Sequence, residues 1–284
     1  MSEEVVRHAV TILPTRADQV EWNLDALDEH LVNLITPASF EADQYRNLRH
    51  EMQRTHPTKK LIAVTSAVDG DGKTTTAINL AAALAEASEA RILLWDLDLR
   101  TPSVGNRLGL TAQSPGLADL ILEPTLGPDD VIRRHPRFPL SILPAGPPST
   151  APYKLLKHPR MAEILREVHQ QYDYIVFDTP PLVPVPDSRL VADLVDGFII
   201  VVGAQRTPRK LLEDVLALAN ASKVLGIVFN RDDRPLHGYY RYYHGYGYDE
   251  GRARRGGWRR NGHLTSAMDK TLRPFLSWLG YTRE

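Results

Sequence analysis

Residues 65–76 have the sequence TSAVDGDGKTTT and follow directly on a short apolar run at residues 61–64. Glycines at positions 70 and 72 let the backbone curl so that successive N–H groups point inward. Lys73 can then reach the outer phosphates of a nucleotide, and Thr74 offers a hydroxyl to Mg²⁺. We predict a helix from Thr74 to about residue 90, whose positive N-terminal end adds to the phosphate site.

The pattern alone is a weak signal, because its strict form has glycine where this chain has Ala67. A glycine turn between a strand and a helix, with no ligand, is the alternative. The apolar strand before, the Ala/Leu-rich helix after, and acidic strand ends downstream favour the phosphate site. The loop residues predicted to bind nucleotide are Asp69, Gly70, Asp71, Gly72, Lys73, Thr74 and Thr75.

Composition limits the class of protein. The chain has 284 residues, 43% of them hydrophobic, which suits one sizeable domain with extensions. No charge-free apolar stretch approaches the ~18 residues that span a bilayer, and no secretion signal is recognisable, so we expect a cytoplasmic protein. The absence of cysteine excludes disulfides, and ten histidines show no metal-ligand spacing. A formal net charge of −1 gives no overall attraction to nucleic acid.

From residue 60, apolar strands alternate with amphipathic helices, a pattern typical of an α/β fold with a mostly parallel sheet and helices on both faces. The predicted strands are residues 61–67, 91–98, 140–144, 174–178, 197–202 and 224–230. We divide the chain into an N-terminal extension (1–58), a phosphate-loop domain (59–232) and a tail (233–284). The extension contains a β-like run at residues 5–13 and a helix at 39–54 with Ser39 as its N-cap. The tail ends in an amphipathic segment, residues 264–279, that docks on its own domain or binds a membrane or partner.

Two of these strands end in aspartates. Asp96 and Asp98 close one strand and lie on the same side if the extended conformation continues through them. Asp178 closes another, which two prolines then interrupt. At the carboxyl edge of a parallel sheet, such acids can organise Mg²⁺ or accept a proton from an attacking hydroxyl. Asn230 ends the last strand and either reads an adenine edge or forms a turn.

These motifs resemble those of the bacterial protein tyrosine kinases of capsule and exopolysaccharide assembly, which use a P-loop NTPase fold. The resemblance extends from about residue 43 to 230 and into the tail. It implies a Walker A motif at residues 70–74, a Walker A-prime motif at Asp96, Asp98 and Arg100, and a Walker B motif ending in Asp178. Residues 144–148 resemble the linker that precedes the family's next helix.

The resemblance implies ATP and Mg²⁺ as ligands and gives the catalytic residues as Lys73, Asp96, Asp98 and Asp178. Thr74, Asp98 and Asp178 are expected to hold Mg²⁺, and Asp96 to accept the tyrosine proton, although Asp96 and Asp98 could exchange roles. One departure from the family is Asp69, which stands where proline is frequent and adds a negative charge beside the loop.

The family's oligomerisation motif, Glu-x-x-Arg-x-x-Arg, is present in shortened form as Asp43, Arg46 and Arg49. A spacing of three keeps all three charges near one helical face, which suits a salt-bridged contact with a neighbouring subunit. A merely solvated helix face is the alternative.

Six of the eleven tyrosines fall in one ten-residue window of the tail: Tyr239, Tyr240, Tyr242, Tyr243, Tyr246 and Tyr248. Interleaved glycines suit a segment that presents several hydroxyls to one active site. The alternative is an aromatic, arginine-rich tail that stacks on single-stranded nucleic acid. Beside a kinase-like core we favour phosphorylation, and we expect no nucleic-acid partner.

The sequence therefore predicts a tyrosine autokinase that phosphorylates its tail in trans within a homo-oligomer. By resemblance it works with a separate membrane-bound protein that sets polysaccharide chain length, which recruits it to the inner face of the cytoplasmic membrane. One rival is a positioning or partitioning ATPase, whose loop carries a second lysine where this chain has Val68. The other is a non-catalytic nucleotide-binding adaptor of the membrane protein.

Overall fold

The computed structural model describes residues 22–87, 90–110, 115–183 and 188–232. All of them belong to one compact unit, Met1–Asp232. The predicted strand at residues 5–13, the tyrosine cluster and the amphipathic segment at 264–279 lie outside the described residues.

One seven-stranded sheet organises the unit, with spatial order β3-β4-β2-β5-β1-β6-β7. The strands are β1 Leu61–Ser66, β2 Ile92–Asp96, β3 Arg133–Arg134, β4 Leu140–Leu143, β5 Tyr174–Asp178, β6 Gly197–Gly203 and β7 Val224–Asn230. Every neighbouring pair is parallel except β3 with β4. The six strands predicted from sequence are present, and β3 is an addition. Because β2, β5 and β6 are buried along their whole length, they are apolar runs rather than alternating ones.

Ten α-helices connect and cover the strands. They are α1 Val32–Ile35, α2 Phe40–Thr55, α3 Lys73–Ala87, α4 Val104–Arg107, α5 Leu117–Leu122, α6 Pro128–Val131, α7 Pro152–Leu156, α8 Pro159–Gln171, α9 Ser188–Leu194 and α10 Arg209–Ala219 among the described residues. The chain runs in one direction along the sheet from β1 through β2 to β4, then reverses through β5, β6 and β7. Right-handed crossovers therefore place the helices of the two halves on opposite faces, which is the predicted fold class.

Helix α3 lies at the centre of the packing and contacts β1, β2 and β5. Its alanine-rich sequence buries almost the whole helix, and α2 packs against it. The Ser39 hydroxyl accepts a hydrogen bond from the Ala42 N–H at 3.1 Å, so the predicted N-cap is present. Leu31 and Met52 join the same core cluster, so residues before the phosphate loop complete the core of the unit.

Within residues 22–87, 90–110, 115–183 and 188–232, no helix is both long enough and apolar enough to cross a bilayer.

Candidate active site

The loop between β1 and α3 has the curled backbone that the glycines predict. Gly70 and Gly72 have φ angles of +84° and +100°, in the left-handed region that residues with a Cβ rarely adopt. A Cβ on Gly72 would also collide with the side-chain amide of Asn230. Helix α3 begins at Lys73, so its first-turn N–H groups face the same loop. Glycine at position 72 is therefore required by both conformation and packing.

Two side chains hold this loop in place, one at the end of β7 and one in the segment between β6 and α10. The Asn230 Nδ2 group donates to the Asp71 carbonyl at 2.8 Å. The Thr207 hydroxyl donates to Asp71 Oδ1 at 2.9 Å and accepts from the Gly203 N–H at 2.9 Å. Asp71 is only 3% exposed and acts as an anchor of the loop. Asn230 thus supports the loop, whereas its contact with adenine stays a prediction.

Lys73 is buried along its side chain, with 8% of it exposed, and its Nζ lies 3.0 Å from Asp69 Oδ1. The Asp69 side chain is 77% exposed, so its carboxylate remains hydrated while it pairs with the lysine. A phosphate group can displace such a partner at small cost, because an ion pair whose carboxylate remains hydrated contributes little free energy.

The acids predicted at two strand ends lie side by side. Strands β2 and β5 are neighbours, and their register places Asp96 opposite Asp178. The Thr74 hydroxyl donates to Asp178 Oδ2 at 2.7 Å, and the Ser103 hydroxyl donates to Thr74 Oγ1 at 3.2 Å. The fold therefore brings Thr74 and the two strand-end carboxylates together, and their roles in catalysis stay a prediction.

Asp96 and Asp98 differ in their surroundings. The carboxylate of Asp96 accepts three backbone N–H groups, from Asp98 at 3.0 Å and from Ser103 and Val104 at 3.2 Å each. Strand β2 stops at Asp96, so the extended conformation assumed for Asp98 does not continue. Asp98 instead closes a turn, accepting the N–H of Thr101 at 3.0 Å and its hydroxyl at 3.1 Å.

Burial raises the free-energy cost of ionising the carboxyl groups of Asp96 and Asp178. It raises the pKa of Asp178 to about 7, against the opposing effects of the Thr74 hydrogen bond and the Lys73 charge. Burial, followed by the charge of Asp178, raises the pKa of Asp96 well above its usual range. The charge of Asp98 raises both pKa values further. A cation at this position would favour the ionised forms.

The residues present fit Mg²⁺. Asp178 Oδ1 is buried and has no hydrogen-bond partner, while the other oxygen faces the Thr74 hydroxyl. Within the described ranges no three His, Asp or Glu side chains converge as a complete metal cage. Mg²⁺ is usually held by one or two carboxylates together with substrate phosphates, so this arrangement suits it.

Comparison with known proteins agrees with this geometry. The sequence family described as AAA domain matches residues 59–220. The tyrosine-protein kinase CpsD of Streptococcus agalactiae serotype III (strain NEM316) is 32% identical over 67% of this chain and 83% of its own length. The chain belongs to the bacterial tyrosine-protein kinases. The predicted family, fold class and enzyme class are thereby confirmed.

Two further similarities concern the architecture of this kinase family. The succinoglycan biosynthesis transport protein ExoP of Rhizobium meliloti (strain 1021) is 36% identical over 69% of this chain, which spans only 26% of ExoP. The crystal structure of the chimerical protein CapA2B2 superposes with a TM-score of 0.67 at 27% identity, covering 72% of this chain and 90% of that one.

The motif predicted to mediate oligomerisation of the kinase makes contacts inside its own chain. Arg46 binds both carboxylate oxygens of Glu86 on α3, at 2.8 and 2.9 Å, and Asp43 at 2.8 Å. Arg49 donates to the Ala83 carbonyl at 2.8 Å. These contacts fasten α2 to α3, and the role of the motif between subunits stays a prediction.

Sequence reasoning missed Arg107, which lies in α4. Its NH1 group donates to the Thr75 hydroxyl at 3.1 Å and to Asp28 at 2.7 Å, and its charge lowers the pKa of Asp178. The contact joins residues far apart in the chain, and a lone arginine in a four-residue helix carries no pattern that would signal it. Arg107 therefore links the kinase loop to the N-terminal segment.

Proposed function

We propose that this chain transfers a phosphoryl group from ATP to the tyrosine cluster of its own tail, in trans within a homo-oligomer. The observation that carries the proposal is the contact of the Thr74 hydroxyl with Asp178, whose second carboxylate oxygen is buried without a partner. That oxygen and the loop amides would together hold a metal–nucleotide complex.

Each residue of the site has a role in the proposed reaction. Lys73 and the N–H groups of the loop bind the phosphates and stabilise the charge of the transferring group. Thr74 and Asp178 hold Mg²⁺ with Asp98 nearby, and the bound ion supplies neutralisation of phosphate charge. Asp96, oriented by three N–H groups, accepts the tyrosine proton. Both carboxylates accept hydrogen bonds on both oxygens, and we assign the step to Asp96 because it lies opposite Asp178 in the register of β2 and β5.

The acceptor is proposed to be the cluster Tyr239, Tyr240, Tyr242, Tyr243, Tyr246 and Tyr248, which lies outside the described residues. The family supports this choice, as does the density of tyrosines in the window. A related region forms part of a longer transport protein in ExoP. We therefore propose a separate membrane-bound partner, recruitment to the inner membrane face, and control of exopolysaccharide or capsule polymerisation and export.

Phosphorylation would reverse the charge of the tail. Residues 231–260 contain eight Arg and four Asp or Glu, a net charge of +4. Six phosphotyrosines would add roughly −9 to −12. We propose that the unphosphorylated protein assembles and that the phosphorylated tails repel and separate the subunits. Sedimentation before and after MgATP tests this, and particles of equal or larger size would contradict it.

Phosphotyrosine mass spectrometry of the purified protein with MgATP, beside Lys73→Ala, tests the main proposal. We expect phosphate on the tail in the parent protein and none in the variant, whose fold should survive because alanine suits the first turn of α3 and no apolar core side chain is removed. A positioning ATPase would hydrolyse ATP without phosphotyrosine. An adaptor would bind the nucleotide without either reaction. Unchanged tail phosphorylation in Lys73→Ala would refute the assigned site.

A further inference from the structure

Helix α4 contacts two consecutive threonines of the phosphate loop. The Ser103 hydroxyl, which precedes the helix, donates to Thr74 Oγ1 at 3.2 Å. Arg107, the last residue of the helix, donates from Nη1 to Thr75 Oγ1 at 3.1 Å. Thr74 is proposed to hold Mg²⁺, whereas Thr75 is predicted to bind the nucleotide. Through Arg107, helix α4 therefore reaches a second residue of the loop, one that is not a proposed metal ligand.

Residues 22–31, the N-terminal segment, hold Arg107 from the other side. Arg107 Nη1 also donates to Asp28 Oδ2 at 2.7 Å, and the Asp28 N–H donates to the Arg107 carbonyl at 3.1 Å. The Asn23 N–H donates to the Gly109 carbonyl at 2.7 Å. Gly109 has a φ of +76°, and a Cβ on it would collide with the Asn23 carbonyl. The segment is thus fixed against the end of α4 by both main-chain and side-chain contacts.

The same segment is also fastened to α3. The fully buried side chain of Asn79 donates from Nδ2 to the His30 carbonyl at 2.9 Å, and its Oδ1 accepts the Asn33 N–H at 3.0 Å. Helix α3 carries Thr75 in its first turn. The contacts therefore form a closed circuit, from α3 through the N-terminal segment to Arg107 and back to α3.

A single nitrogen of Arg107 makes both side-chain contacts. Nη1 carries two hydrogens, so it can donate one to Asp28 and one to Thr75. A threonine hydroxyl has one hydrogen and rotates about its Cβ–Oγ bond. Because the Thr75 oxygen accepts from Arg107, its own hydrogen points away from the guanidinium and is available to another acceptor. A phosphate oxygen is a strong acceptor for such a donor.

We propose that Arg107 is a positioning residue for the nucleotide. Held by Asp28, it orients the Thr75 hydroxyl so that this hydroxyl donates to a phosphate oxygen of MgATP. Arg107 acts through Thr75 and does not contact the nucleotide itself. The proposal rests on the nucleotide site proposed above and makes the N-terminal segment part of it. By linkage, nucleotide binding should in turn stabilise the contacts of residues 22–31.

Titration with a fluorescent ATP analogue tests the role of Arg107. We expect Arg107→Ala to weaken MgATP binding about fivefold, part of what a hydrogen bond to a charged group supplies. In a Thr75→Val background the same substitution should change the affinity less than about twofold, because the hydroxyl that Arg107 orients is gone. Arg160→Ala is the matched control and should leave the affinity unchanged. Arg160 is also partly buried, and it donates to the Leu126 carbonyl at 2.8 Å.

Steady-state kinetics separates positioning from catalysis. The Thr75 hydroxyl is proposed to bind the nucleotide equally before and during phosphoryl transfer. Arg107→Ala should therefore raise KM for ATP about fivefold and change kcat less than about twofold. A general loss of structure would lower kcat as well, and circular dichroism verifies that the variant is folded.

Asp28→Asn distinguishes positioning from a simple effect of charge. The carboxylate uses Oδ2 for Arg107 and Oδ1 for the His30 N–H, whereas an amide has one acceptor oxygen and cannot serve both. Positioning therefore predicts MgATP binding that is about threefold weaker. Charge alone predicts the opposite, because removing an acid favours an anionic ligand. Asp173→Asn, whose parent carboxylate accepts two N–H groups of Arg91, is the control and should change nothing.

Hydrogen exchange of the parent protein tests the linkage without any substitution. Amides of residues 22–31 should exchange about threefold more slowly with saturating MgADP than without it, because the nucleotide stabilises the circuit that holds them. Amides of α8, Pro159–Gln171, should slow less, which distinguishes this effect from stabilisation of the whole protein. In Thr75→Val the additional protection of the N-terminal segment should disappear.

Three results would overturn the assignment. One is parent affinity for MgATP in the folded Arg107→Ala protein. Another is tighter binding in Asp28→Asn. The third is an Arg107→Ala effect of the same size in the parent and Thr75→Val backgrounds, which would mean that the charge of Arg107 acts directly on the nucleotide. A parent protein that binds no MgATP would instead refute the nucleotide site itself.

Discussion

The active site and the α2–α3 contact both concentrate charge, but they treat it in opposite ways. In the active site, Asp96 and Asp178 are each 1% exposed, their pKa values are raised, and one Asp178 oxygen has no partner. In the α2–α3 contact, Arg46 and Arg49 each donate to an acceptor on α3 of the same chain, and one nitrogen, Arg49 Nε, is buried without a partner. Both charges of the second region are thus hydrogen-bonded within the chain, whereas the first region has a buried carboxylate oxygen that a ligand can bind.

The largest effect should come from Asp178→Asn. We expect tyrosine phosphorylation to fall by about 100-fold or more, because the variant lacks a charged ligand for Mg²⁺. The free energy of unfolding at pH 8 without nucleotide should rise by about 1 kcal/mol, because the buried charge is removed. Thermal denaturation and a phosphorylation assay measure the two quantities together.

Asp173→Asn is the matched control for that comparison. Asp173 is an exposed partner of Arg91, whose hydrogen bonds lower its pKa. The same substitution there should lower or preserve the melting temperature and leave phosphorylation intact. If Asp178→Asn destabilised the protein as well, the carboxylate would be part of the folded scaffold and the contrast between the two regions would fail.

His135 is a test case for whether a buried polar group without a hydrogen-bond partner always marks a ligand site. Its ring packs between Trp22 and Phe138, with centroids 4.8 and 4.7 Å away, and its Nε2 is unpartnered. Burial, helped by the charge of Arg137, lowers the pKa of His135 to about 4. Below about pH 6.5 the unfolded chain therefore protonates this histidine, whereas the folded chain keeps it neutral down to about pH 4. The free energy of unfolding falls as the pH falls through this range.

We expect the unfolding free energy of the parent protein to fall about 2 kcal/mol more between pH 7.5 and 5 than that of His135→Phe. Urea denaturation at both pH values measures the difference. His158→Phe is the control, since His158 is exposed and likewise accepts a backbone N–H through its Nδ1. Nucleotide affinity at pH 7.5 should be unchanged in both variants; a loss in His135→Phe would connect this distant cluster to the active site.

The parts of the fold that the sequence predicts are those with local signals. Central parallel strands are buried on both faces, so β2, β5 and β6 stand out as apolar runs. Strand β3 has two residues and no such run, and it is recognised only through its antiparallel partner β4. Helix α3 begins at Lys73, one residue earlier than predicted, because alanine composition does not define a helix boundary.

In the active site, the sequence predicts the residues that carry a motif and misses those placed by tertiary contacts. Strand β2 ends at Asp96 because Asp98 bonds the backbone of its own turn, a local competitor of the strand. Thr207 and Arg107 reach the loop from separate segments. The Asn230 contact with Asp71 spans 159 positions and is likewise invisible to local patterns.

The double variant Arg46→Ala with Arg49→Ala tests the α2–α3 contact. Loss of the contacts with α3 should lower the unfolding free energy by about 1 kcal/mol, since such partly exposed bonds are individually weak. If the arginines also bind a neighbouring subunit, light scattering should show smaller particles, with autophosphorylation reduced several-fold.

Glu86→Gln separates the two roles. It removes the ion pair of Arg46 within the chain and leaves both arginines on α2. It should cost some stability without reducing particle size. Parent-sized particles in the double arginine variant would show that the motif serves only its own chain.

The smallest effect concerns Asp69, the one place where the active site resembles the α2–α3 contact. Lys73 is already paired there, at 3.0 Å, with a carboxylate that is 77% exposed. A phosphate must displace this partner and approach its negative charge. We therefore expect Asp69→Ala to raise the affinity for MgATP about threefold to fivefold, the range that an ion pair with an exposed carboxylate, of up to ~1 kcal/mol, allows.

Titration with a fluorescent ATP analogue measures the change, with Glu123→Ala as a control at an exposed acid outside the loop. The gain should shrink as salt is raised, because screening weakens an exposed carboxylate more than a buried lysine–phosphate contact. Lower affinity in Asp69→Ala would mean that Asp69 holds Lys73 in its binding position. The Lys73–Asp69 pair would then be a structural contact, like those between α2 and α3. The groups of the active site that lack compensation before a ligand binds would be its buried carboxylates.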